Sequence, residues 1–220
     1  QLAPSINHQI WLILAGRGWG KTRTGAMDTI LYALRNPKVQ VAVVTPTFGD
    51  IRRVAFGGIS GILANIPEGC LMAGHGGGHN SSNAEINLHN GSKIMGFSAT
   101  EPDRLRGPQF HRAWCDELAA WRYPEAFDQL MFGLRLGENP QCVITTTPRP
   151  TALIKSLVNR DNTVVTTGDT FENSANLAES ALAQMKEKYG GTRLGRQELY
   201  AEILEEVEGA LWSHKDIEAD

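Results

Sequence analysis

The sequence predicts an α/β fold in which an open, mostly parallel sheet carries helices on both faces. Short apolar runs rich in β-branched residues recur along the chain, and segments with helical spacing of apolar residues separate them. Glycine or proline marks most of the boundaries between them. Strands that alternate with helices favour parallel pairing, because each parallel connection needs a crossover. The 220 residues are enough for one such domain with its own core.

The first three elements predict a βαβ unit. Ile10 to Ala15 is an apolar run that ends in a glycine-rich turn, which is typical of a buried strand that feeds a loop. Thr22 to Leu34 has apolar residues at helical spacing and stops at Asn36-Pro37, and Val39 to Val44 is a second β-branched run. This order within about 30 residues is what a parallel strand pair requires.

The middle of the chain predicts further strands and helices. Asp50 to Leu63 has a helical pattern, and a loop rich in Gly, His, Ser and Asn, residues 73–83, follows it. Glu85 to Phe97 then alternates around Asn90-Gly91, which predicts a β-hairpin inserted into the parallel sheet. We also expect a helix at Tyr123 to Leu134. Three further strands are expected at Arg112 to Cys115, Gln141 to Thr145 and Val164 to Thr167.

The charge pattern changes towards the end of the chain. We expect residues 1–204 to form one domain, within which residues 170–204 are charged, helical in pattern and suited to a small lid subdomain. Residues 205–220 lose periodicity and are expected to form a linker.

Composition narrows the classes of function. No apolar run approaches the roughly 18 residues of a membrane span, and no secretion signal is present at the N-terminus. We therefore expect an intracellular, soluble protein with no membrane partner. The net charge of −3 neither favours nor excludes nucleic acid. Three cysteines without a CxxC pair predict buried thiols, and the histidines of the 73–83 loop lack metal-ligand spacing.

A glycine-rich segment, Ala15 to Thr22, joins the first strand to the first helix. There a GKT sequence predicts a phosphate site, because backbone N–H groups curl around the β- and γ-phosphates and the helix N-terminus adds positive charge. Lys21 is expected to reach the β/γ oxygens, and the Thr22 hydroxyl to bind Mg²⁺. Ala15 replaces the usual first glycine, and a turn without a ligand is the alternative. The predicted ATP-binding residues are Gly16, Arg17, Gly18, Trp19, Gly20, Lys21 and Thr22.

Two adjacent carboxylates, Asp116 and Glu117, follow the apolar run that ends at Cys115. Alone the pair also suits a helix cap, but downstream of a phosphate loop it favours catalysis. Asp116 is expected to hold the Mg²⁺ shell, and Glu117 to orient the attacking water as a general base. A small-molecule kinase does not need a glutamate that poises water. The sequence therefore predicts a P-loop NTPase of the additional-strand catalytic-glutamate type.

Hydroxyls and arginines complete the predicted site. The strand from Val143 runs into three threonines, of which Thr145 and Thr146 are expected to sense the γ-phosphate; a β-branched strand that enters a proline turn is the alternative. An arginine that stabilises the transition state is worth about 10³–10⁵ in rate. Arg106, just before the Asp-Glu strand, and Arg17, in the phosphate loop, are the two candidates.

Together these motifs resemble the ATPase domain of the large terminase subunit of tailed double-stranded DNA bacteriophages. The resemblance covers nearly the whole chain and is more specific than any single motif. It implies that Gln1 belongs to a segment that contacts adenine. The matching segments are Gln1 to Pro4, Ala15 to Thr22, Ser98 to Gln109, Trp114 to Glu117, Thr145 to Pro150, Tyr189 to Arg193, Arg196 to Glu198 and Gly209 to Trp212.

The resemblance implies a motor that uses ATP and Mg²⁺ to drive DNA into a procapsid. The expected partners are double-stranded DNA, the portal protein, the small terminase subunit and further copies of the chain in a pentameric ring, at the portal in the host cytoplasm. It also implies that Arg106 acts on the adjacent subunit, with Arg17 in cis as the rival. Such proteins continue into a nuclease domain, so we expect residues 205–220 to lead towards one and this chain not to cleave DNA.

Two other classes of protein remain as alternatives. A helicase-like DNA translocase shares the phosphate loop, the Asp-Glu pair and the hydroxyl strand, but it needs a second motor lobe. A nucleotide switch that does not hydrolyse ATP would have no use for Glu117.

Overall fold

A computed structural model describes residues 3–73 and 77–204. In this part of the chain one eight-stranded sheet has the order β3-β4-β5-β2-β6-β7-β1-β8. The strands are β1 (Ile10–Ala15), β2 (Gln40–Thr45), β3 (His79–Asn80), β4 (Glu85–Asn87), β5 (Lys93–Ser98), β6 (Arg112–Asp116), β7 (Gln141–Thr146) and β8 (Thr163–Gly168).

The six strands from β5 to β8 in this order pair in parallel, as the sequence predicts. Strand β7 lies between β1, which leads into the phosphate loop, and β6, which ends at Asp116. This intervening strand is the additional strand of the predicted class. The predicted hairpin is present, with Glu85 opposite Met95. Its second strand, β5, also pairs in parallel with β2, so the hairpin extends the central sheet.

Helices cover both faces of the sheet. Buried side chains of α3 and α4 pack with Ile10, Leu12 and Leu14 of β1 on one face. Those of α1 and a π-helix pack with Val41 and Val43 of β2 on the other. The helices are α1 (Lys21–Arg35), α2 (Phe48–Asp50), α3 (Glu125–Gly133), α4 (Ala152–Val158), α5 (Glu179–Tyr189) and α6 (Arg193–Glu198); the π-helix is Ile51–Phe56, and 3-10 helices span Pro102–Leu105, Leu118–Ala120 and Thr170–Asn176.

The predicted helix from Asp50 to Leu63 is wrong over its second half. The helical segment ends at Phe56, and turns follow. Gly57, Gly58 and Gly61 lie there with backbone carbonyl oxygens so close that a Cβ would overlap them. A continuous α-helix therefore gives way to a compact glycine turn, which the apolar spacing alone did not indicate.

Two contacts fix α1 against β6. Asp28 of α1 accepts bonds from both Nε and Nη2 of Arg112, at 2.9 and 2.6 Å, and both side chains are nearly buried. One turn nearer the loop, Gly25 lies flat against the indole of Trp114. A two-point ion pair and a close packing contact thus hold the helix that starts at Lys21 in register with the strand that ends at Asp116.

We expect Gly25→Ala to destabilise the protein by up to about 2 kcal/mol. A Cβ at Gly25 would overlap the fully buried Trp114 ring, and overpacking costs about 1–3 kcal/mol, which exceeds the roughly 1 kcal/mol that alanine gains over glycine in a helix. Urea unfolding measures the change. Gly107→Ala is the control, because no atom lies within 4 Å of a Cβ there. Equal stability of the two variants would contradict the packing argument.

Candidate functional site

One large cavity opens where the carboxyl ends of the parallel strands meet, which is where ligands bind in open α/β sheets. Its volume is about 1120 Å³. The loop after β1, the start of α1 and the segments that follow β2, β6 and β7 all contribute to its wall. The polar and charged side chains of these segments that line it include Lys21, Thr22, Asp50, Asp116, Glu117, Thr147 and Arg149.

The loop between β1 and α1 has the backbone geometry of an anion cradle. Gly18 and Gly20 have φ values of 75° and 104°, in the left-handed region that favours glycine. The α-helix then begins at Lys21, whose Nζ donates to the carbonyl oxygens of Ala15 and Gly16 at 2.9 and 3.0 Å. Burial lowers the pKa of Lys21, because the charged form is poorly solvated there. An anion in the cradle would compensate that charge more closely than the Glu117 carboxylate, whose Oε1 lies 4.0 Å from the ammonium nitrogen.

The outer side of this loop is held by the C-terminal part of the domain. Trp19 is buried, and its Nε1 donates to the Glu172 carboxylate at 2.8 Å. Asn173 donates from Nδ2 to the Gly18 carbonyl at 2.7 Å. Arg17 donates from Nε to Glu198 at 2.7 Å, and this hydrogen bond raises the pKa of Arg17. The 3-10 helix after β8 and the end of α6 therefore fix the loop from outside.

Asp116 is a buried carboxylate held by a chain of two hydrogen bonds. Trp114 donates from Nε1 to the Thr145 hydroxyl at 2.8 Å, and that hydroxyl donates to Oδ1 of Asp116 at 2.7 Å. Only 3% of Asp116 is exposed. Burial raises its pKa from 3.8 to about 7; the hydrogen bond from Thr145 opposes the shift, and the charge of Glu117 adds to it. The carboxylate is therefore fixed in direction, and the positive charge of Lys21 offsets only part of the effect of burial.

These oxygens fit a magnesium ion. Mg²⁺ takes one or two protein oxygens and leaves its other positions to water and substrate phosphates. The Asp116 carboxylate and the Thr22 hydroxyl line the same cavity and supply such a pair. Within residues 3–73 and 77–204 no cluster of three or more carboxylate, imidazole or thiol groups is arranged to hold a metal by itself. The donor set therefore suits an ion that arrives with a phosphate ligand.

Glu117 has a strained backbone, and hydrogen bonding holds its side chain in position. Its φ and ψ are 47° and 48°, the left-handed region that few non-glycine residues adopt, and such strain clusters at functional sites. Its Oε2 accepts a hydrogen bond from the backbone N–H of Thr147 at 3.2 Å and lies 3.4 Å from that residue's hydroxyl. Its Oε1 lies 4.0 Å from Nζ of Lys21. The carboxylate thus stands beside the lysine of the loop, at the wall of the same cavity.

Comparison with known protein families shows which family this chain belongs to. A family model described as "Terminase large subunit, T4likevirus-type, N-terminal" matches residues 12–219. The chain belongs to this large terminase family. A search of curated protein sequences returned no match.

Solved terminase structures have the same fold. The ATPase domain of the large terminase of Thermus phage P74-26 has a TM-score of 0.70 at 14% identity, over 91% of this chain and 90% of that one. A large terminase from a thermophilic bacteriophage has a TM-score of 0.71 at 14% identity, over 89% of this chain and 48% of that one. Its complex with ADP has a TM-score of 0.70 at 13% identity, over 90% and 49%. This terminase chain thus spans about half of that longer protein.

The structure brings most of the predicted site residues of this terminase to one cavity. The loop residues from Arg17 to Thr22, together with Asp116 and Glu117, line it. Gly16 lies just behind the loop, where a Cβ would be 2.5 Å from the Leu199 carbonyl oxygen. Gln1 and residues 205–220 lie outside the described residues, as do residues 74–76 of the glycine-rich loop.

The two predicted sensor threonines do not reach the cavity wall. Thr145 is fully buried behind Asp116, and Thr146 is fully buried with its hydroxyl bonded to the Ala119 N–H and the Thr147 carbonyl. Thr147, one residue beyond the end of β7, is the threonine that lines the cavity and contacts Glu117. Direct nucleotide contact by Thr145 and Thr146 remains a prediction, while the structure shows that Thr145 positions Asp116.

The two arginine candidates of the terminase lie in different places. Arg106 lines a separate, shallow cavity, pairs with Asp103 at 3.2 Å and has a 65% exposed side chain. Arg17 lines the main cavity but is bonded to Glu198.

Sequence reasoning missed several residues that line the cavity, among them Asp50, Arg149 and Asn173. Asp50 could have been found, because it follows β2 and the ends of parallel strands share one edge. Asn173 comes from a segment far along the chain, and no local pattern indicates its return to the loop. In the described part of the terminase no helix is both long and apolar enough to cross a lipid bilayer.

Proposed function

We propose that this chain is the ATP-hydrolysing motor domain of a phage DNA-packaging terminase. The observation that carries the proposal is the meeting of a glycine-rich anion cradle, Lys21, a buried Asp116 and a strained Glu117 at one cavity of a large terminase fold. A phosphate cradle alone would serve a nucleotide switch. The paired carboxylates, one for a metal and one for water, are what a hydrolase needs in addition.

Each of these residues has a distinct chemical task. The loop N–H groups and Lys21 hold the phosphate chain, so the Lys21 ammonium exchanges its carbonyl contacts for phosphate oxygens. Thr22 and Asp116 would hold Mg²⁺, which would supply positive charge to neutralise the phosphates. Glu117 accepts a proton from the attacking water, and the N–H of Thr147 keeps its carboxylate aimed along the wall of the cavity.

Family membership supports genome packaging over a helicase-like translocase as the purpose of the hydrolysis. We propose that double-stranded DNA, the portal protein and the small terminase subunit are partners, that copies of this chain form a pentameric ring, and that the ring acts at the procapsid portal in the host cytoplasm. The exposure of Arg106 supports its reaching the site of an adjacent subunit, and Arg17 is the alternative in cis.

We also propose that residues 170–204 act as a lid subdomain of the motor domain 1–204. The support is their direct attachment to the phosphate loop through Glu172, Asn173 and Glu198. Adenine contact by Gln1, and a linker role for residues 205–220 toward a nuclease domain, stand as further proposals.

Phosphate release from ATP by the purified chain, with and without double-stranded DNA, tests the function. We expect Lys21→Ala to weaken nucleotide binding about 10- to 100-fold, because charge-assisted hydrogen bonds contribute about 1.5–3 kcal/mol. Lys93→Ala is the matched control, since Lys93 is exposed at the opposite edge of the sheet, where β5 begins. If catalysis is completed between subunits, the hydrolysis rate per wild-type subunit should rise with protein concentration. Unchanged binding in Lys21→Ala would remove the cradle from the mechanism.

A further inference from the structure

Four cationic side chains line the main cavity, and they differ in how they are neutralised. Lys21 lies 4.0 Å from Glu117, and Arg17 is bonded to Glu198 at 2.7 Å. Arg23 and Arg149 are exposed, and within residues 3–73 and 77–204 neither guanidinium has a carboxylate partner. Two of the four positive charges at the cavity are therefore available to an anion without breaking an ion pair.

Arg149 differs from Arg23 in being anchored beside Glu117. It follows Thr147 by two residues, a backbone span of at most about 7 Å. Thr147 is the residue whose N–H binds the Glu117 carboxylate. Arg149 therefore leaves the chain at the Glu117 end of the cavity, whereas Asn173 lies beside Gly18 of the loop.

The backbone around Arg149 is restricted on both sides. Pro148 is buried and Pro150 is half-buried, and a proline both fixes its own φ and disfavours a helical conformation in the residue before it. The Thr151 N–H donates to the Arg149 carbonyl at 2.8 Å, and Thr151 then caps α4. The position of the Arg149 backbone is thus set before any ligand arrives, while its side chain is exposed at the cavity.

We propose that Arg149 binds the terminal phosphate of the nucleotide that occupies its own subunit's cavity. A guanidinium presents a planar fork of N–H donors that matches two phosphate oxygens, and a site beside the catalytic carboxylate places it at the phosphate that hydrolysis removes. ATP and ADP differ by that phosphate. Arg149 therefore distinguishes the two nucleotides in cis, a role that does not depend on a neighbouring subunit. The inference rests on the proposed function, since it requires a nucleotide in this cavity.

Calorimetric titration with magnesium and either AMP-PNP or ADP tests the assignment. We expect Arg149→Ala to weaken AMP-PNP binding about tenfold or more and to change ADP binding less than twofold. Arg149→Lys, which keeps the charge without the fork, should fall between wild type and alanine for AMP-PNP. Arg160→Ala is the matched control, because Arg160 is an exposed arginine that precedes β8, at the opposite edge of the sheet. Circular dichroism melting confirms that each variant is folded.

Each outcome bears on a different part of the argument. Equal weakening of AMP-PNP and ADP would place Arg149 at phosphates that both share, and unchanged binding of both would remove it from the site; either result overturns the inference and leaves the proposed function standing. Failure of the wild-type chain to bind either nucleotide would overturn the proposed function itself, and the inference with it. If Arg149→Ala does not fold, Arg149→Lys decides, and AMP-PNP binding equal to wild type in a folded Arg149→Lys overturns the proposed fork.

Discussion

Glu117→Gln is expected to bind ATP with near wild-type affinity and to hydrolyse it about 10²- to 10⁴-fold more slowly. A positioned general base contributes a factor of this size, and glutamine cannot accept the proton of the attacking water. The amide keeps the size of the side chain and an oxygen that can accept the hydrogen bond from the Thr147 N–H. Single-turnover phosphate release at saturating ATP, with binding measured separately, distinguishes the lost step from lost affinity.

The same substitution at an exposed glutamate is the control for Glu117→Gln. Glu138→Gln removes one negative charge at the opposite edge of the sheet, shortly before β7 begins, and should leave the rate unchanged. If Glu117→Gln retains more than about half of the wild-type rate, then Glu117 does not activate the water, and Asp50 becomes the carboxylate of the cavity to test next.

Local patterns predicted the phosphate loop and the Asp-Glu strand end because their determinants are adjacent in sequence. Strand β1 agrees with the predicted range residue for residue, and α1 begins one residue earlier than predicted. These determinants are the glycine spacing, the β-branched run and the helical period that follows it. All three lie within about 20 residues, which is the range over which sequence patterns are informative.

The strand that ends in three threonines shows what local sequence patterns do not predict. The three consecutive threonines do not indicate which hydroxyl faces the ligand, because that depends on the residue at which β7 ends. Strand β7 continues to Thr146, and Thr145 turns out to serve Asp116 through a hydrogen bond between strands. Only the pairing of Asp116 with Thr145 across β6 and β7 decides this.

Contacts between distant segments were not predictable either. The sequence predicts that Trp19 and Arg17 bind ATP, but it does not indicate that Trp19 is buried and bonded to Glu172 or that Arg17 is bonded to Glu198. Helix α4 was missed because Ala152–Val158 is too short for a clear period, and its N-terminus depends on the Thr151 cap. The two loop contacts are tertiary, so one sequence does not contain a local signal for them.

Asp116→Asn is expected to stabilise the nucleotide-free protein by about 4 kcal/mol at pH 8. The pKa of this carboxyl is raised in the folded state, from 3.8 to about 7, chiefly by burial. A folded protein that binds the proton more tightly than the unfolded chain loses stability as pH rises from about 4 through 7. Each pKa unit corresponds to about 1.4 kcal/mol, and the side chain is too buried for solvent to reduce the effect.

Urea unfolding of wild type and Asp116→Asn between pH 4 and 8.5 measures the effect as a difference, which cancels the other titrating groups. The two free energies of unfolding should be similar near pH 4, diverge through pH 7 and differ by a constant amount above pH 8. Wild type should recover stability when magnesium and nucleotide are added, while the asparagine variant should recover less, because it lacks the carboxylate that fits the cation. A pH-independent difference would mean that the pKa of Asp116 is the same in the folded and the unfolded protein, so that the protein itself compensates the burial of this charge. The ionised Asp116 would then not lower the free energy of unfolding of the nucleotide-free protein. Its burial would therefore no longer indicate a metal site.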